Sequence, residues 1–438
     1  MNIFIVLITI LFMSFVGYVV IRLFTLLPKK MVLFTIGCSY GLGAGLISLQ
    51  LYLYSRFNIS WSKESLIFPW IILIVLFLFK NMKKMSFKFL RTKKTEPIHI
   101  VFIIMILITV SYVFFEVLLR PVTVWDGWAI WLLRAKLFFI DGKINSLALN
   151  YVKSDYPLII SLLNTFIYLI LGKVDDSAVL LTSFAFYIFL AIGLFSVLKN
   201  KFSLTYALLF TFLLMTIQTF VRQGGRLEAG QADLPLGYYI FISTIFLIEY
   251  LKNSSAKFLL SLNIFLGITI LVKPEGLFTA VAISVIAIFN IHMKKIYHQL
   301  KFFIIWIIFF LDWEIYKKFN NLKYTYISAH PLEMTWGKTL NAIWGTLKEL
   351  VNIKSWNLLW VSYFASLLMK VPRNETSKIL NIIILSQLGA YIFMYIFTAR
   401  NTPESSIERL LVHIAPLGVY SIAISMRQLL KNFQNISH

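Results

Sequence analysis

Asp126 is the single carboxylate of VTVWDGWAIWLLRAK, residues 122–136, between Trp125 and Trp128 and upstream of Arg134 and Lys136. A carboxylate can take a proton, and nearby cations can hold an anion, so the stretch carries parts for acid–base chemistry on a charged ligand. Other residues of suitable type are spread along the chain: Asp155 and Tyr156 in SDYPL, Asp233 in ADLPL, Lys273 and Glu275 in KPEG, and Asp312 beside Trp313. Arg409 and His413, four apart in ERLLVHIAP, share one face if that stretch is helical. Each has a plainer reading. Tryptophans at a membrane surface form interfacial belts, an Asp opening a helix is an N-cap, and an Arg near a span end snorkels. Lys273 and Glu275 can make a solvated turn, and His413 can satisfy a local hydrogen bond.

The elements that must position these groups are membrane helices. Of 438 residues, 59% are hydrophobic and 14% charged, with a mean hydropathy of +0.81, which is more apolar surface than a soluble core can hide. This predicts an all-α polytopic membrane protein. Apolar runs near 3–22, 31–54, 65–80, 99–118, 178–197, 203–221 and 234–251 are followed by others near 257–272, 276–292, 302–318, 355–371, 378–397 and 409–426. They give about 13 candidate spans for a core of ~30 Å. The run 157–171, which ends at Gly172, is shorter and reads as re-entrant. With that assignment the positive-inside rule puts the lysine-rich segment 80–94 and the tail in the cytoplasm, along with nearly all of the +22 net charge. Long loops at 119–156 and 317–354 then face outward, and the outer rim collects the acids. The expected organisation is three leading spans and a basic linker over 1–98, a transmembrane module over 99–426, and a cytoplasmic tail over 427–438.

Acids and cations on one rim suggest a polar cavity, because ionisable groups at membrane depth usually face a cavity or a partner. The basic residues are scattered between apolar runs rather than gathered on one hydrophilic face, which argues against a nucleic-acid partner and for membrane lipids. Cys38 is the one cysteine, so neither a disulfide nor a cysteine metal site can form within the chain.

The order of elements carries a resemblance. A span, an outer loop opening with Asp among tryptophans and followed by Ala-Lys, then SDYPLIISLL, ADLPL, a KPEG turn and an Arg at the start of the last span resembles the C-type (GT-C) membrane glycosyltransferases. More narrowly it is similar to the protein mannosyltransferase-like and lipid A aminoarabinose transferase-like members. The likeness covers roughly residues 99–426. It implies a GT-C-like helical bundle whose first outer loop supplies an acidic catalytic residue and carries juxtamembrane helices. It also implies a polyprenyl-phosphate-linked sugar donor and a lipid, glycan or protein acceptor. On that basis Asp126 is the expected base. Arg134, Lys136, Lys273 and Arg409 are candidate phosphate ligands, and Trp125, Trp128 and Tyr156 a sugar platform. Asp155, Asp233, Glu275, Asp312 and His413 complete the substrate-binding set. Many relatives have an Asp-Glu pair where this chain has Asp126-Gly127.

The expected activity is therefore transfer of a sugar at the outer face of the plasma or inner membrane. Two other functions compete: an O-antigen polymerase-like or ligase-like enzyme that relies on arginines of later loops, and a transporter or flippase of lipid-linked sugars. Transporters often show internal repeats, and none is visible at a fixed period. No cofactor is required by the sequence, although one divalent ion held by Asp126 and another outer acid is compatible with it.

Overall fold

A computed structural model describes residues 2–81, 96–291, 296–323, 334–369, 374–397 and 402–436. Residues 82–95, which hold most of the basic linker, residues 324–333 of the second long outer loop, and the last two residues of the tail lie outside the described residues. Among the described residues there is no strand. A helix satisfies its own backbone N–H and C=O groups, as a chain in hydrocarbon must.

In chain order the helices are α1 (Asn2–Leu23), α2 (Val32–Arg56), α3 (Lys63–Asn81), α4 (Pro97–Leu119), α5 (Leu133–Asp141), α6 (Ser146–Asn150) and α7 (Ile159–Leu171). There follow α8 (Asp176–Val179), α9 (Leu181–Lys199), α10 (Leu204–Met215), α11 (Gln218–Gly224), α12 (Asp233–Asn253), α13 (Ala256–Ile270) and α14 (Gly276–Phe289). The rest are α15 (Ile296–Leu300), α16 (Ile304–Phe319), α17 (Trp336–Leu350), α18 (Ile353–Trp356), α19 (Leu359–Leu368), α20 (Glu375–Phe397), α21 (Pro403–Val412) and α22 (Ala415–Ile436). Among the described residues, 6 helical stretches can cross a membrane by length and composition, or 8 if the bent pairs α10–α11 and α21–α22 each make one span. The bends are 70° and 58°. Four more apolar helices, α7, α13, α14 and α19, are shorter than 18 residues. At 1.5 Å per residue they reach about 15–23 Å, short of a ~30 Å core. The count of 13 is therefore not confirmed, since hydropathy runs include cap and turn residues that a helix axis does not.

The chain divides into two compact units. The first comprises Met1–Ala148, Leu158–Met215 and Gly224–Gln231. Its centre is α2, which packs on α1, α7 and α9. The run GCSYGLGAG makes this possible: a Cβ on Gly17 of α1 would collide with the Ser39 carbonyl of α2, and one on Gly37 would stand 2.7 Å from Gly193 Cα in α9. Small residues let backbones touch, and dispersion contacts replace the hydrophobic drive that lipid does not supply. The short run after Tyr156 becomes α7, whose residues Ile159–Tyr168 are all buried. Gly172 ends it in the left-handed region at φ 74°, its N–H donating to the Tyr168 carbonyl.

The second unit comprises Leu149–Pro157, Thr216–Gln223 and Ala232–His438. Here α12 is the enclosed element, with α13, α14, α20, α21 and α22 against it. Two glycines set close approaches that matter below. A Cβ on Gly237, one turn after Asp233, would stand 2.8 Å from the Val412 carbonyl, so glycine lets the α21–α22 break come up against α12. A Cβ on Gly276 would collide with the Thr269 carbonyl, so the KPEG turn closes tightly only with glycine there.

Candidate functional site

Within the second unit, four of the expected residues form one cluster around the Asp233–Lys273 ion pair. Asp233 is the first residue of α12, and Lys273 stands in the turn between α13 and α14. The Lys273 ammonium donates to Asp233 Oδ1 at 2.6 Å, and His413 Nε2 lies 2.9 Å from the same oxygen. Glu275 brings Oε1 to 3.5 Å from the Lys273 ammonium. Asp233, Lys273, Glu275 and His413 are all buried. Asp233 is thus not the helix N-cap that its position suggests: Ala232 occupies the cap, and the carboxylate is committed to an ion pair.

His413 does not lie on a continuous helix with Arg409. It sits at the break between α21 and α22, where the Gly237 approach delivers its ring to α12. Its other nitrogen, Nδ1, is 2.8 Å from the Tyr391 hydroxyl. That hydroxyl accepts from Gln387 Nε2 at 3.1 Å, and Gln387 Oε1 accepts from Thr279 Oγ1 at 2.9 Å. One arrangement of protons satisfies every link. Thr279 donates to Gln387, Gln387 to Tyr391, Tyr391 to His413 Nδ1, and His413 Nε2–H to Asp233, which requires a neutral imidazole protonated on Nε2. The chain runs through α14, α20 and the α21–α22 break and ends on Asp233.

Lys273 feels opposing influences. Burial disfavours its charge, but the carboxylates of Asp233 and Glu275 outweigh that and hold its pKa above the ordinary lysine value, even with Arg409 acting in the other direction. Arg409, in α21, therefore acts on the same cluster. Around it Arg222 pairs with Glu408 at 2.8 Å, and the Tyr395 hydroxyl pairs with Ser406 at 2.8 Å.

The remaining second-unit candidates are held elsewhere. The Asp155 carbonyl accepts from Trp313 Nε1 at 3.3 Å, which brings the SDYPL segment to α16. Tyr156 is buried, with the Lys153 ammonium 5.7 Å from its ring centre. Asp312 is half-buried on α16, whereas its neighbour Glu314 pairs with Lys317 at 2.6 Å.

In the first unit, Asp126 is half-buried at the head of a π-helical turn over Gly127–Leu132. Such turns occur often at functional sites. Their wider i→i+5 spacing takes Asp126, Ile130 and Arg134 off the common face that a regular α-helix would give residues four and eight apart. The loop is seated by segment 224–231 of the same unit, where the Thr123 hydroxyl donates to the Leu227 carbonyl at 2.9 Å. A Cβ on Gly127 would press on Val124 at 2.8 Å, so the Asp-Gly pair that departs from the Asp-Glu of many relatives has a steric reason here. Trp125 and Trp128 meet edge to face at 6.5 Å with about half of each exposed, while Arg134 is buried. Lys136 pairs with Asp176 at 2.6 Å, and the Tyr168 hydroxyl donates to that same residue. Asp175 caps α8 by accepting from the Ala178 N–H. Among the described residues no group of three or more His, Cys, Asp and Glu is arranged to hold a metal ion.

Thr279, Gln387 and Tyr391 were not anticipated from the sequence. A usable signal exists: Gln387 and Tyr391 are four apart in an apolar span, and a polar side chain at membrane depth usually has a partner. Replacing Tyr391 with Phe is expected to strand His413 Nδ1 and the Gln387 amide, at a cost of about 1–3 kcal/mol. A lowered unfolding midpoint in detergent would show this; an unchanged midpoint would mean that the hydroxyl links nothing.

Residues 155–313 match the family model of the dolichyl-phosphate-mannose-protein mannosyltransferases. The match supports a membrane glycosyltransferase of the C type. It takes in Asp155, Tyr156, Asp233, Lys273, Glu275 and Asp312, beginning after Asp126 and ending before Arg409 and His413. A search of curated proteins found no match.

Proposed function

We propose that the protein moves a sugar from a polyprenyl-phosphate donor to an acceptor at the extracytoplasmic face of the membrane, with Asp126 as general base. The observation that carries this reading is Lys273, buried between Asp233 and Glu275 inside the stretch that matches the family model. In the reaction the bond between sugar C1 and a phosphate oxygen breaks while an acceptor heteroatom bonds to C1. The acceptor's proton goes to the Asp126 carboxylate, and the phosphodiester monoanion leaves as a phosphomonoester with one more negative charge. A prearranged ammonium and guanidinium stabilise charge that appears only as that bond breaks.

Lys273 and Arg409 suit that role. Of the two carboxylates near the Lys273 ammonium, Asp233 is held tightly and by His413 as well, whereas Glu275 makes only the long contact. A phosphate oxygen can therefore approach the ammonium on this less crowded side, with Glu275 keeping its position. Asp126 and the Lys273 cluster are assigned separate roles, and each can be tested alone.

Purified protein in liposomes, given polyprenyl-phosphate hexose labelled in the sugar together with a membrane extract as acceptor, is expected to put the label into a new covalent product. Label that stays on polyprenyl phosphate but appears in the opposite leaflet would instead establish a transporter.

A further inference from the structure

Glu275 Oε2 is buried and has no hydrogen-bond partner among the described residues. The residue is only 7% exposed, and among the described residues its other oxygen has no closer cation than the Lys273 ammonium at 3.5 Å. Leaving a buried carboxylate oxygen unmatched is costly, and native proteins seldom do so without a purpose. The turn that carries Glu275 is not loose. Pro274 and Gly276 flank it, the Gly276 N–H donates to the Lys273 carbonyl at 3.0 Å, and the Gly276 approach to Thr269 pins the start of α14. The turn thus fixes the backbone that carries this oxygen, near the Lys273 ammonium, and the oxygen itself lacks a donor.

A carboxylate accepts hydrogen bonds and gives none. Its missing partner is a donor, and a donor whose molecule also carries an anion would suit the Lys273 ammonium beside Glu275 and Arg409, which acts on the same cluster. A hydroxylated sugar joined to a phosphate has both groups in that relation. We propose that Glu275 Oε2 accepts a hydrogen bond from a hydroxyl of the transferred sugar, so that Glu275 reads the sugar while Lys273 and Arg409 hold its phosphate. This rests on the donor proposed above and adds a specificity-determining residue to it. The bond moves no proton and breaks nothing; Glu275 orients the ring relative to the departing phosphate.

The test compares two lipids of equal charge: polyprenyl-phosphate hexose (mannose, glucose and galactose in turn) and polyprenyl methyl phosphate, a phosphodiester with no sugar. Wild-type protein is expected to bind at least one hexose lipid more tightly than the methyl ester. Glu275→Gln is expected to weaken that lipid about tenfold, as for loss of a charge-assisted hydrogen bond, and to change methyl-ester binding less than about twofold. Equal change in both lipids, or none in either, overturns the assignment. Should Glu275→Gln bind neither, Glu275→Asp keeps the charge and withdraws the oxygen by one methylene; a parallel loss of both lipids there also overturns it. Wild-type protein that binds neither lipid defeats the donor itself, whereas wild-type preference for a hexose lipid that survives in Glu275→Gln defeats only the role of Glu275.

Discussion

Lys273→Met is expected to destabilise the protein by roughly 3–5 kcal/mol, the usual result of removing one partner of a buried ion pair. The cause is the carboxylate left behind. Asp233 is 1% exposed, its His413 partner is best satisfied as a neutral donor, and among the described residues Lys273 is the cation paired with it. Removing both charges should behave differently. In Asp233→Asn with Lys273→Met, the amide oxygen can still accept from His413, and of the two carboxylates that faced the ammonium only Glu275, the more distant at 3.5 Å, keeps its charge, so part of the lost stability should return. Unfolding by heat or by added SDS in one detergent would measure both variants. A single variant that unfolds like the wild type would mean that Asp233 and Lys273 are solvated rather than paired. Recovery of stability without recovery of sugar transfer would separate the pair's part in folding from its part in phosphate binding.

Asp126→Asn should leave the unfolding midpoint unchanged and lower transfer by about 10²–10⁴-fold, the range expected when a general base is lost. The fold should tolerate the change because the side chain is half-buried at a helix start, and its neighbours Trp125 and Trp128 are about half exposed. Unchanged turnover would remove Asp126 from the chemistry. Comparison with Arg409→Ala then discriminates between mechanisms: a far larger loss in the arginine variant than in Asp126→Asn would favour the polymerase-like or ligase-like alternative.

The sequence by itself determined the class of the protein and the residue types of its cluster. Hydropathy is a local property, so the membrane helices and all-α character could be read from runs of residues, and the KPEG, ADLPL and ERLLVHIAP stretches stood out because charges at membrane depth are rare. The membrane-glycosyltransferase resemblance, drawn from the order of those stretches, agrees with the family match over residues 155–313. The number of crossings was less legible, because a hydropathy run does not say where the helix axis stops or bends, as at the α21–α22 break.

Only the tertiary structure decided how the charges are used. Lys136 looked as available as Lys273, yet it pairs with Asp176. Asp233 and His413 are 180 positions apart and meet because Gly237 admits the helix break beside α12. Tyr391, Gln387 and Thr279 gained a role only through packing of α14 and α20. The physical reason is common to all of these. Burial makes a polar group's partner energetically decisive, and that partner is chosen by which backbones can approach, a property of the packed helices and not of any local stretch of residues.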